Sequence, residues 1–494
     1  IRSFGDETVL VVINLSRFAQ VVELDLDKHA GTVPVEVFSR NRFPPVKDAP
    51  YVLTLGIHDY FWFVLERERE AAAVGGERML PELSVRKGWT AILAGKARER
   101  FEEEALPPYF SSVRWFGGKG RTLQRARIQD VIPVDRPETA ARVLLVEVSY
   151  TEGTPETYVL PLAFAGGDRT AQVLAEFPQG VIARLDIDGE RGVLFDAAYD
   201  EGFRASLLAL IAGRRRMRGR MGEIAGFPGR RFRNVLNGRK VSLSSRVLKA
   251  EQSNTSILYG DVFFLKLYRK PDEGPNPDTE ISQFLTENTA CACSPPFAGG
   301  IEYHRAGSEP MVIGHLQGFV PNEGEAWTYT LDAARQFFDR VLSEPIDRQE
   351  VPQLPSSLLD MNPSALPPKL QELIGGVALD AAALLGRRAG ELHTALATAA
   401  GMPAFEPEPF TFLYQRSVYQ SMRNQAKRTL QLLQKNLKKL PEEVRPAASA
   451  ALKSEDAILN VFRSILDVKI IAEKIRYHGD FHLGQVLRTG KDFV

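Results

Sequence analysis

The sequence predicts a chain of several domains: an all-β sandwich, then an α+β module, then a two-lobed α+β fold whose second lobe is mostly helical. Three observations predict this arrangement. Short alternating strands fill residues 1–67, a charged and then Ala- and Gly-rich stretch follows, and helical spacing replaces strand patterns from Asn322 onward. At 494 residues the chain is long enough for three or four domains.

The composition is typical of a folded protein without a membrane span. Lys and Arg number 62, as do Asp and Glu, and the resulting net charge of zero argues against a nucleic-acid-coating protein. A hydrophobic content of 44% excludes a mostly disordered chain, and no apolar run reaches membrane-spanning length. A disulfide between Cys291 and Cys293 could not stabilise a fold of this size. We therefore expect the protein to reside in a reducing compartment, the cytoplasm. Because the first residue is Ile, we expect a piece of a longer protein.

Residues 1–67 are predicted to form the β-sandwich. A β-rich run occupies residues 8–13, apolar and polar residues alternate through 22–27 and 33–37, and an aromatic-rich strand occupies 60–65. Nothing in this domain points to catalysis, and we interpret it as a supporting module or an accessory module of a carbohydrate enzyme. Residues 68–79 are predicted to be a linker.

The remaining sequence divides into three predicted regions. Residues 80–190 form the α+β module, with a helix over 89–105 and a hairpin turn at 151–155. Residues 191–318 form the first lobe of the two-lobed fold, and residues 319–494 form the helical second lobe, with a Pro- and Ser-rich loop over 352–368. In the first lobe we predict a helix at 278–288 and strands at 243–248, 255–259, 262–268 and 309–319. In the second lobe we predict helices at 384–396, 414–434 and 454–476.

The most informative motif spans residues 477–487, Tyr-His-Gly-Asp-Phe-His-Leu-Gly-Gln-Val-Leu. Phosphoryl transfer needs a carboxylate that orients the acceptor hydroxyl and oxygen ligands for Mg²⁺, which neutralises phosphate charge. Asp480 is therefore the predicted catalytic residue, and Gln485 is the predicted metal ligand. The alternatives are a structural turn and a zinc site at His478 and His482, although the intervening Gly-Asp favours a turn over a zinc-binding helix.

A kinase also needs a phosphate-binding lysine upstream of such a loop. Lys266 lies inside an apolar strand, where an ammonium group is costly unless it meets an anion. Nucleotide phosphates and the carboxylate of Glu280, on the following helix, are its predicted partners. The alternative is a lysine on an edge strand that extends its ammonium group to solvent.

Two further segments have the order expected for nucleotide binding. The polar turn before the Lys266 strand contains Gln252, Ser253, Asn254 and Thr255, whose hydroxyl and backbone N–H groups are predicted to cover phosphates. Gln317 and Phe319 lie at the end of the predicted strand 309–319, whose backbone groups are predicted to edge the base at a hinge. Both patterns also occur in ordinary turns and strands.

These motifs together resemble bacterial maltokinases, a family of aminoglycoside-phosphotransferase-like kinases. Residues 115–121, Trp-Phe-Gly-Gly-Lys-Gly-Arg, resemble the signature of the maltokinase N-terminal cap, and residues 1–67 resemble the C-terminal β domain of trehalose synthase. The resemblance implies a protein-kinase-like fold, use of ATP and Mg²⁺, and phosphorylation of maltose at its anomeric hydroxyl to give maltose 1-phosphate. It also implies a trehalose synthase barrel upstream in the same polypeptide and a role in α-glucan metabolism.

Other functions remain open from the residues alone. One is a non-catalytic, kinase-like module that senses sugar or acts as a scaffold, and another is a kinase whose acceptor is an aminoglycoside, choline or another small alcohol. Maltokinases carry a second metal-binding Asp on the strand after the hairpin turn, and Asp492 lies too close to the predicted turn to serve. We therefore expect that Asp beyond Val494 and little kinase activity from these 494 residues alone.

The sugar-binding residues are harder to predict. Tyr414, Arg416 and Tyr419 at the start of a helix, together with His482, are the candidates, and ordinary packing of the helix is the alternative. Residues 214–240 contain ten basic residues, which we interpret as a solvated face or a docking surface for an acidic partner rather than a nucleic-acid site.

Overall fold

The computed structural model describes residues 1–4, 7–14, 20–37, 43, 46, 50–55, 60–67, 80–119, 121–136, 139–248, 253–343, 366–398 and 401–494. The predicted linker at 68–79, Gln252 and most of the predicted loop at 352–368 lie outside these residues. The chain divides into two compact units, Ile1–Phe203 and Arg204–Val494. None of the described helices combines the length and apolar character needed to cross a membrane.

The first strands of unit one form two antiparallel sheets. They are β1 (Arg2–Phe4), β2 (Glu7–Ile13), β3 (Gln20–Leu24), β4 (Thr32–Glu36), β5 (Tyr51–Leu55) and β6 (Tyr60–Arg67). One sheet has the order β1-β2-β6-β4, and β3 pairs with β5. Side chains from both sheets, among them Leu10, Leu53 and Phe63, meet in one apolar core because alternate residues of a strand share a face. The strands predicted at 8–13, 33–37 and 60–65 are confirmed.

Six further strands of unit one form a mixed sheet. They are β7 (Glu82–Val85), β8 (Leu123–Arg136), β9 (Thr139–Tyr150), β10 (Glu156–Gly166), β11 (Val181–Ile187) and β12 (Glu190–Asp196), in the order β7-β11-β12-β10-β9-β8. The pairing of β9 with β10 confirms the hairpin predicted at 151–155. Because β12 pairs with both β10 and β11, the module does not end at residue 190 as predicted; its sheet continues to Asp196.

Three helices accompany this sheet. They are α1 (Gly95–Arg100), α2 (Leu106–Ser112) and α3 (Asp168–Glu176), and a π-helical turn, Phe101–Ala105, joins α1 to α2. The next helix, α4 (Glu201–Ala212), has most of its residues in unit two. The helix predicted at 89–105 is irregular at its start, because Trp89–Leu93 is a 3₁₀ helix and α1 begins at Gly95. Phe101, Tyr109 and Phe110 are fully buried in the apolar core that also contains strand residues of the sheet.

Unit two begins with a seven-stranded antiparallel sheet. Its strands are β13 (Arg216–Arg218), β14 (Gly222–Pro228), β15 (Ser245–Val247), β16 (Asn254–Tyr259), β17 (Phe263–Tyr268), β18 (Phe297–Arg305) and β19 (Met311–Gly318), in the order β13-β14-β18-β19-β17-β16-β15. The helices of this region are α5 (Phe232–Leu236) and α6 (Pro277–Asn288). The turn between β16 and β17 uses Gly260 at a φ of 56°, a conformation that favours glycine.

The second half of unit two is mostly helical. Its helices are α7 (Ala326–Ser343), α8 (Pro368–Ile374), α9 (Gly376–Ala397), α10 (Phe412–Asn436), α11 (Arg445–Lys453) and α12 (Glu455–Arg463), and β20 (Glu408–Pro409) pairs with β21 (Glu473–Lys474). The helix predicted at 454–476 is wrong beyond Arg463. The buried side-chain amide of Gln415 on α10 donates to the carbonyl oxygens of Ile465 and Val468, which a longer helix would bond internally.

Helix α6 is held by an apolar face and a capped first turn. Ile281, Phe284 and Leu285 pack with residues of α9 and with Phe405. The Oδ1 atom of Asn276 accepts a hydrogen bond from the Thr279 N–H at 3.1 Å, which satisfies a free donor at the helix start. The sulfurs of Cys291 and Cys293, just beyond α6, are bonded to each other, and a bridge across one residue constrains little beyond its own turn.

A candidate functional site at the start of helix α6

The first group of the site is a row of polar side chains across three strands. Ser256 on β16, Lys266 on β17 and His315 on β19 are direct cross-strand partners, so their side chains lie on one face of the sheet. Helix α6 covers this face, because the Thr279 Oγ1 atom lies 3.2 Å from His315 Nδ1. The sheet register thus brings three distant sequence positions to the start of α6.

Lys266 is held by Asp278 rather than by the predicted Glu280. The Lys266 Nζ atom lies 2.8 Å from Asp278 Oδ2, and the Tyr268 hydroxyl donates to the same oxygen at 2.8 Å. Lys266 and Tyr268 share a face because they are two residues apart on β17. Asp278 lies in the first turn of α6, where the helix dipole favours a negative charge.

The charges around Asp278 keep it ionised. Burial acts to raise its pKa, but the charge that His315 gains below about pH 4, the charge of Lys266 and the hydrogen bonds from Lys266 and Tyr268 outweigh burial and hold the pKa at about 2. An ionised carboxylate therefore faces the Lys266 ammonium at neutral pH, and the lysine side chain as a whole is about one quarter exposed.

His315 is buried and uncharged at neutral pH. Burial lowers its pKa to about 4, the charge of Lys266 acts in the same direction, and the charge of Asp278 opposes this shift. The neutral ring satisfies two contacts, because Nε2 can donate to Gln317 Oε1 at 3.3 Å while Nδ1 accepts from the Thr279 hydroxyl. The adjacent Ser256 Oγ atom is buried and has no hydrogen-bond partner among the described residues.

Glu280 has a different partner from the one predicted. It forms an ion pair with Arg476, which lies two residues before His478. Glu280 follows Asp278 by two residues, or about 200° around a helix, so the two carboxylates leave α6 in different directions. The start of α6 therefore contacts both the lysine strand and the segment that leads into the predicted catalytic loop.

The predicted phosphate-covering turn is only partly at this site. Gln252 lies outside the described residues, Ser253 lies in a bend, and Asn254 is on the Lys266 face of β16 because it pairs with Tyr268. Thr255 points to the other face, where its Oγ1 atom accepts a hydrogen bond from buried Arg269 at 2.8 Å. The Thr255 side chain therefore lies on the sheet face opposite Lys266, and its role as a phosphate ligand stays a prediction.

The predicted hinge has one side chain on the site face. Gln317 shares the face of β19 with His315 and contacts it. The backbone N–H of Phe319 donates to the Val262 carbonyl at 2.8 Å, so the sheet already uses the donor that a nucleotide base would need. That Phe319 edges the base at a hinge stays a prediction.

The 477–487 loop presents its carboxylate to solvent. Asp480 has 80% of its side chain exposed, and its N–H donates to His478 Nδ1 at 3.3 Å. His482 Nδ1 accepts from the Gly484 N–H at 3.1 Å and caps the 3₁₀ turn Leu483–Gln485, on which Gln485 is exposed. An acidic and an amide oxygen donor thus lie on one short exposed loop.

Asp492 is a turn residue, as predicted. Its backbone carbonyl accepts from the Thr489 N–H at 2.9 Å, and both of its carboxylate oxygens lie 2.7 Å from the Arg388 guanidinium. A carboxylate with this bidentate partner is not a free metal ligand. No group of three or more His, Cys, Asp or Glu residues within the described ranges could hold a metal ion.

The predicted sugar residues on α10 have separate neighbours. The Lys474 ammonium lies 4.2 Å from the Tyr414 ring centroid, while the Arg416 guanidinium lies 5.9 Å from that of Phe412. Tyr414 and Arg416 are about 200° apart around the helix, and Tyr419 is closer to the Arg416 face. The three side chains therefore do not form one surface, and their role in sugar binding stays a prediction.

The glycine-rich motif at 115–121 is part of a polar network in unit one. The Glu156 carboxylate lies 2.5 Å from the Arg121 guanidinium and accepts hydrogen bonds from the hydroxyls of Tyr150 and Tyr158 at 2.6 and 2.7 Å. Arg121 also lies 3.6 Å from the Tyr150 ring centroid. Gly118 is required there, since a Cβ would lie 2.4 Å from the Tyr150 hydroxyl. The motif therefore has a structural role in fixing its own loop.

The basic stretch at 214–240 is exposed and partly neutralised by nearby carboxylates. Arg216 and Arg218 pair with Glu223, and Arg230 pairs with Glu287. These pairs agree with the interpretation of a solvated charged face.

Two family models match parts of the chain. Residues 1–62 match the model of the maltogenic amylase C-terminal domain, and residues 109–200 match that of the maltokinase N-terminal cap domain. The chain fits a maltokinase-like region of a trehalose synthase–maltokinase fusion. Most strands of the six-stranded sheet and the Glu156 network described above lie within the residues that the cap model matches.

Relatives are found among trehalose synthases. The chain is 54% identical over 61 residues to the trehalose synthase of Pimelobacter sp. (strain R48), which is 12% of this chain and 11% of that protein. It is 30% identical over 251 residues to the trehalose synthase of Thermus thermophilus, 48% of this chain and 23% of that protein. It is 45% identical over 80 residues to the trehalose synthase/amylase TreS of Mycobacterium tuberculosis (strain H37Rv), 15% of this chain and 13% of that protein. The chain spans less than a quarter of each of these relatives.

Solved structures resemble the chain only distantly. A glucosamine kinase in complex with glucosamine, ADP and inorganic phosphate has 16% sequence identity and a TM-score of 0.43, covering 75% of this chain and 66% of that one. We draw nothing from this superposition. The cap model and the trehalose synthase relatives support a maltokinase-like kinase region.

Several residues of the site were not predicted from the sequence. Asp278, His315, Ser256 and Arg476 join the site through strand register and helix orientation. Asp278 had a usable signal, because Asn276-Pro277 marks a helix start and places the next residue in the first turn. The other three had no such local signal.

Proposed function

We propose that this chain carries the kinase part of a maltokinase, which transfers the γ-phosphoryl group of ATP to the anomeric hydroxyl of maltose and yields maltose 1-phosphate. In the parent protein this region would act beside a trehalose synthase barrel. One observation supports the proposal above the others: the first turn of α6 contacts both Lys266 and Arg476, which lies four residues before Asp480. One helix turn thus contacts both Lys266 and the segment that leads into Asp480, although Lys266 and Asp480 are 214 residues apart in the sequence.

Lys266 would bind the nucleotide phosphates. Its ammonium pairs with Asp278 and its side chain is about one quarter exposed, so a phosphate oxygen can share the ammonium. Asn254 lies on the same sheet face, and the unpaired Ser256 hydroxyl beside Lys266 offers a further donor after a small local shift. These groups would stabilise the negative charge of the phosphates without forming a covalent bond. Phosphoryl transfer requires this kind of stabilisation.

Asp480 would orient the sugar hydroxyl and accept its proton. Its carboxylate is exposed, as an acceptor-binding base must be before the substrate arrives. The proton of the anomeric hydroxyl would move to an Asp480 carboxylate oxygen as the hydroxyl oxygen bonds to the γ-phosphorus. ADP would leave from the opposite side.

The donor set of the loop fits Mg²⁺ bound together with a nucleotide. Mg²⁺ prefers oxygen ligands, retains several waters, and takes one or two protein oxygens plus phosphate oxygens. The Gln485 side-chain carbonyl would supply one such oxygen from an exposed position on the loop. When bound, the ion would neutralise phosphate charge.

The proposal is tested by acceptor screening and two substitutions in the full-length protein. We expect ATP-dependent phosphorylation of maltose, and not of glucose, trehalose or an aminoglycoside. Asp480→Asn should lower kcat by about 10²-fold or more with little change in nucleotide affinity, whereas Lys266→Met should weaken nucleotide binding. Unchanged turnover in Asp480→Asn would remove Asp480 from this role. Binding of maltose without turnover would indicate the non-catalytic module instead.

A further inference from the structure

The pair formed by Arg476 and Glu280 is a long-range contact at the predicted site. It joins residues 196 positions apart, and both side chains are mostly covered, with 33% and 23% of their surfaces exposed. Such a pair is unlike the many i,i+3 and i,i+4 pairs on the surface of this chain, which connect neighbouring helical turns.

Arg476 contacts α6 by a second route. Its guanidinium lies 5.7 Å from the ring centroid of Phe405, and that ring stacks on Phe284 with centroids 3.9 Å apart. Glu280 and Phe284 are four residues apart on α6 and therefore share a face. Charge and packing thus place the Arg476 side chain against the same strip of the helix.

Three side chains of the loop that follows Arg476 contact other residues of the same loop. The hydrogen bonds and ring contacts that involve His478, Asp480 and His482 in the described structure connect residues of the loop to one another. Asp480 is the fourth residue after Arg476, which limits its Cα to about 13 Å from the Arg476 Cα. Arg476 therefore fixes the N-terminal end of the loop relative to α6.

We propose that Arg476 and Glu280 are positioning residues that hold the Asp480 loop at a fixed place relative to Lys266. This proposal rests on the kinase function proposed above. Asp278 holds Lys266, Glu280 holds Arg476, and both carboxylates belong to the first turn of α6. The helix turn is thus a shared support for the phosphate-binding lysine and the acceptor-orienting carboxylate. Neither Arg476 nor Glu280 contacts the reacting atoms.

The first test is hydrogen exchange, which does not depend on activity. Arg476→Met keeps the length and packing of the side chain and removes its charge. We expect amide exchange in peptides spanning 477–485 to become about tenfold faster, while peptides from β17 keep their rates. The matched control is Arg230→Met, since Arg230 pairs with Glu287 at the other end of α6, and it should leave the 477–485 peptides unchanged. Unchanged exchange in Arg476→Met overturns the proposal, whether or not the protein is an active kinase.

The second test separates positioning from nucleotide binding. In the full-length protein, Arg476→Met and Glu280→Gln should each lower kcat by about ten- to hundredfold with the KM for ATP unchanged, since Lys266 and Asp278 are intact. Because both substitutions break one pair, the double variant should be no worse than either single variant. Arg476→Lys should recover part of the loss, which also excludes misfolding as the cause.

The outcomes distinguish the two proposals. If the wild-type protein phosphorylates no acceptor, the proposed function fails while the exchange result still decides the positioning role. If the wild type is active and the losses of Arg476→Met and Glu280→Gln multiply in the double variant, or the KM for ATP rises with the fall in kcat, the positioning proposal is overturned and the proposed function stands.

Discussion

Acidification from pH 7 to pH 5 is expected to loosen the sheet around His315. This imidazole is fully buried on β19, and burial lowers its pKa from 6.5 to about 4. The charge of Lys266 adds to this shift, while Asp278 and Gln317 oppose it. Between pH 6.5 and pH 4 the unfolded chain therefore binds a proton that the folded chain does not, so stability falls as the pH falls through this window.

The size of the effect follows from the two pKa values. A difference of 6.5 − 4 = 2.5 units corresponds to at most about 3 kcal/mol at 1.36 kcal/mol per unit. The part expressed between pH 7 and pH 5 is about 2 kcal/mol, or about thirtyfold in the opening equilibrium. Asp278 does not contribute in this range, because its pKa of about 2 keeps it ionised and its stabilisation is lost only as the pH falls below about 4.

Hydrogen exchange measures this opening locally, which suits a chain that divides into two units. Peptides from β17 and β19 should lose about thirtyfold in protection between pH 7 and pH 5, after correction for the intrinsic pH dependence of exchange. His315→Gln retains hydrogen-bonding groups but cannot gain the proton, so its protection should be nearly independent of pH. If the variant shows the same pH dependence as the wild type, His315 is not the responsible group.

Three substitutions test packing within unit one or within unit two, and each is measured by thermal or denaturant unfolding. Glu156→Leu should destabilise unit one by about 1–3 kcal/mol, because it removes the acceptor shared by the buried hydroxyls of Tyr150 and Tyr158. An unchanged unfolding midpoint would mean that this network does not hold the loop at 115–121. Gly118→Ala should cost about 1–3 kcal/mol through the clash with Tyr150, and equal stability would show that the loop can shift freely. Gly386→Ala, on α9 with open space around its missing Cβ, should instead stabilise unit two by up to about 1 kcal/mol.

The sequence predicted most elements of the site but not their side-chain partners. Strand alternation was sufficient to locate β17 with Lys266, and the helix that follows it was also predicted. The partner of Lys266 was assigned to Glu280, because choosing between residues 278 and 280 requires the rotation of α6 about its axis. That rotation is set by burial of Ile281, Phe284 and Leu285 against α9, a contact with no local signature in the sequence.

The sheet face on which Thr255 lies also depends on tertiary packing, and therefore could not be predicted from the local sequence. One residue separates it from Ser256, and a shift of one position along a strand moves a side chain to the opposite face. The pairing of Ser256 with Lys266 places Thr255 with Arg269 and leaves the Ser256 hydroxyl beside the lysine. Composition alone predicted a polar turn, whereas the face of each residue depends on register with β17.

The stability of α6 and its functional contacts have different sources. Partly exposed ion pairs such as that of Lys266 with Asp278 contribute at most about 1 kcal/mol each, because solvent screens them. Burial of Phe284 and Leu285 contributes about 2 kcal/mol per side chain. The apolar face therefore holds the helix in place, and the two first-turn carboxylates determine where Lys266 and Arg476 lie. Loss of either ion pair should consequently change the geometry of the site far more than it changes the stability of the fold.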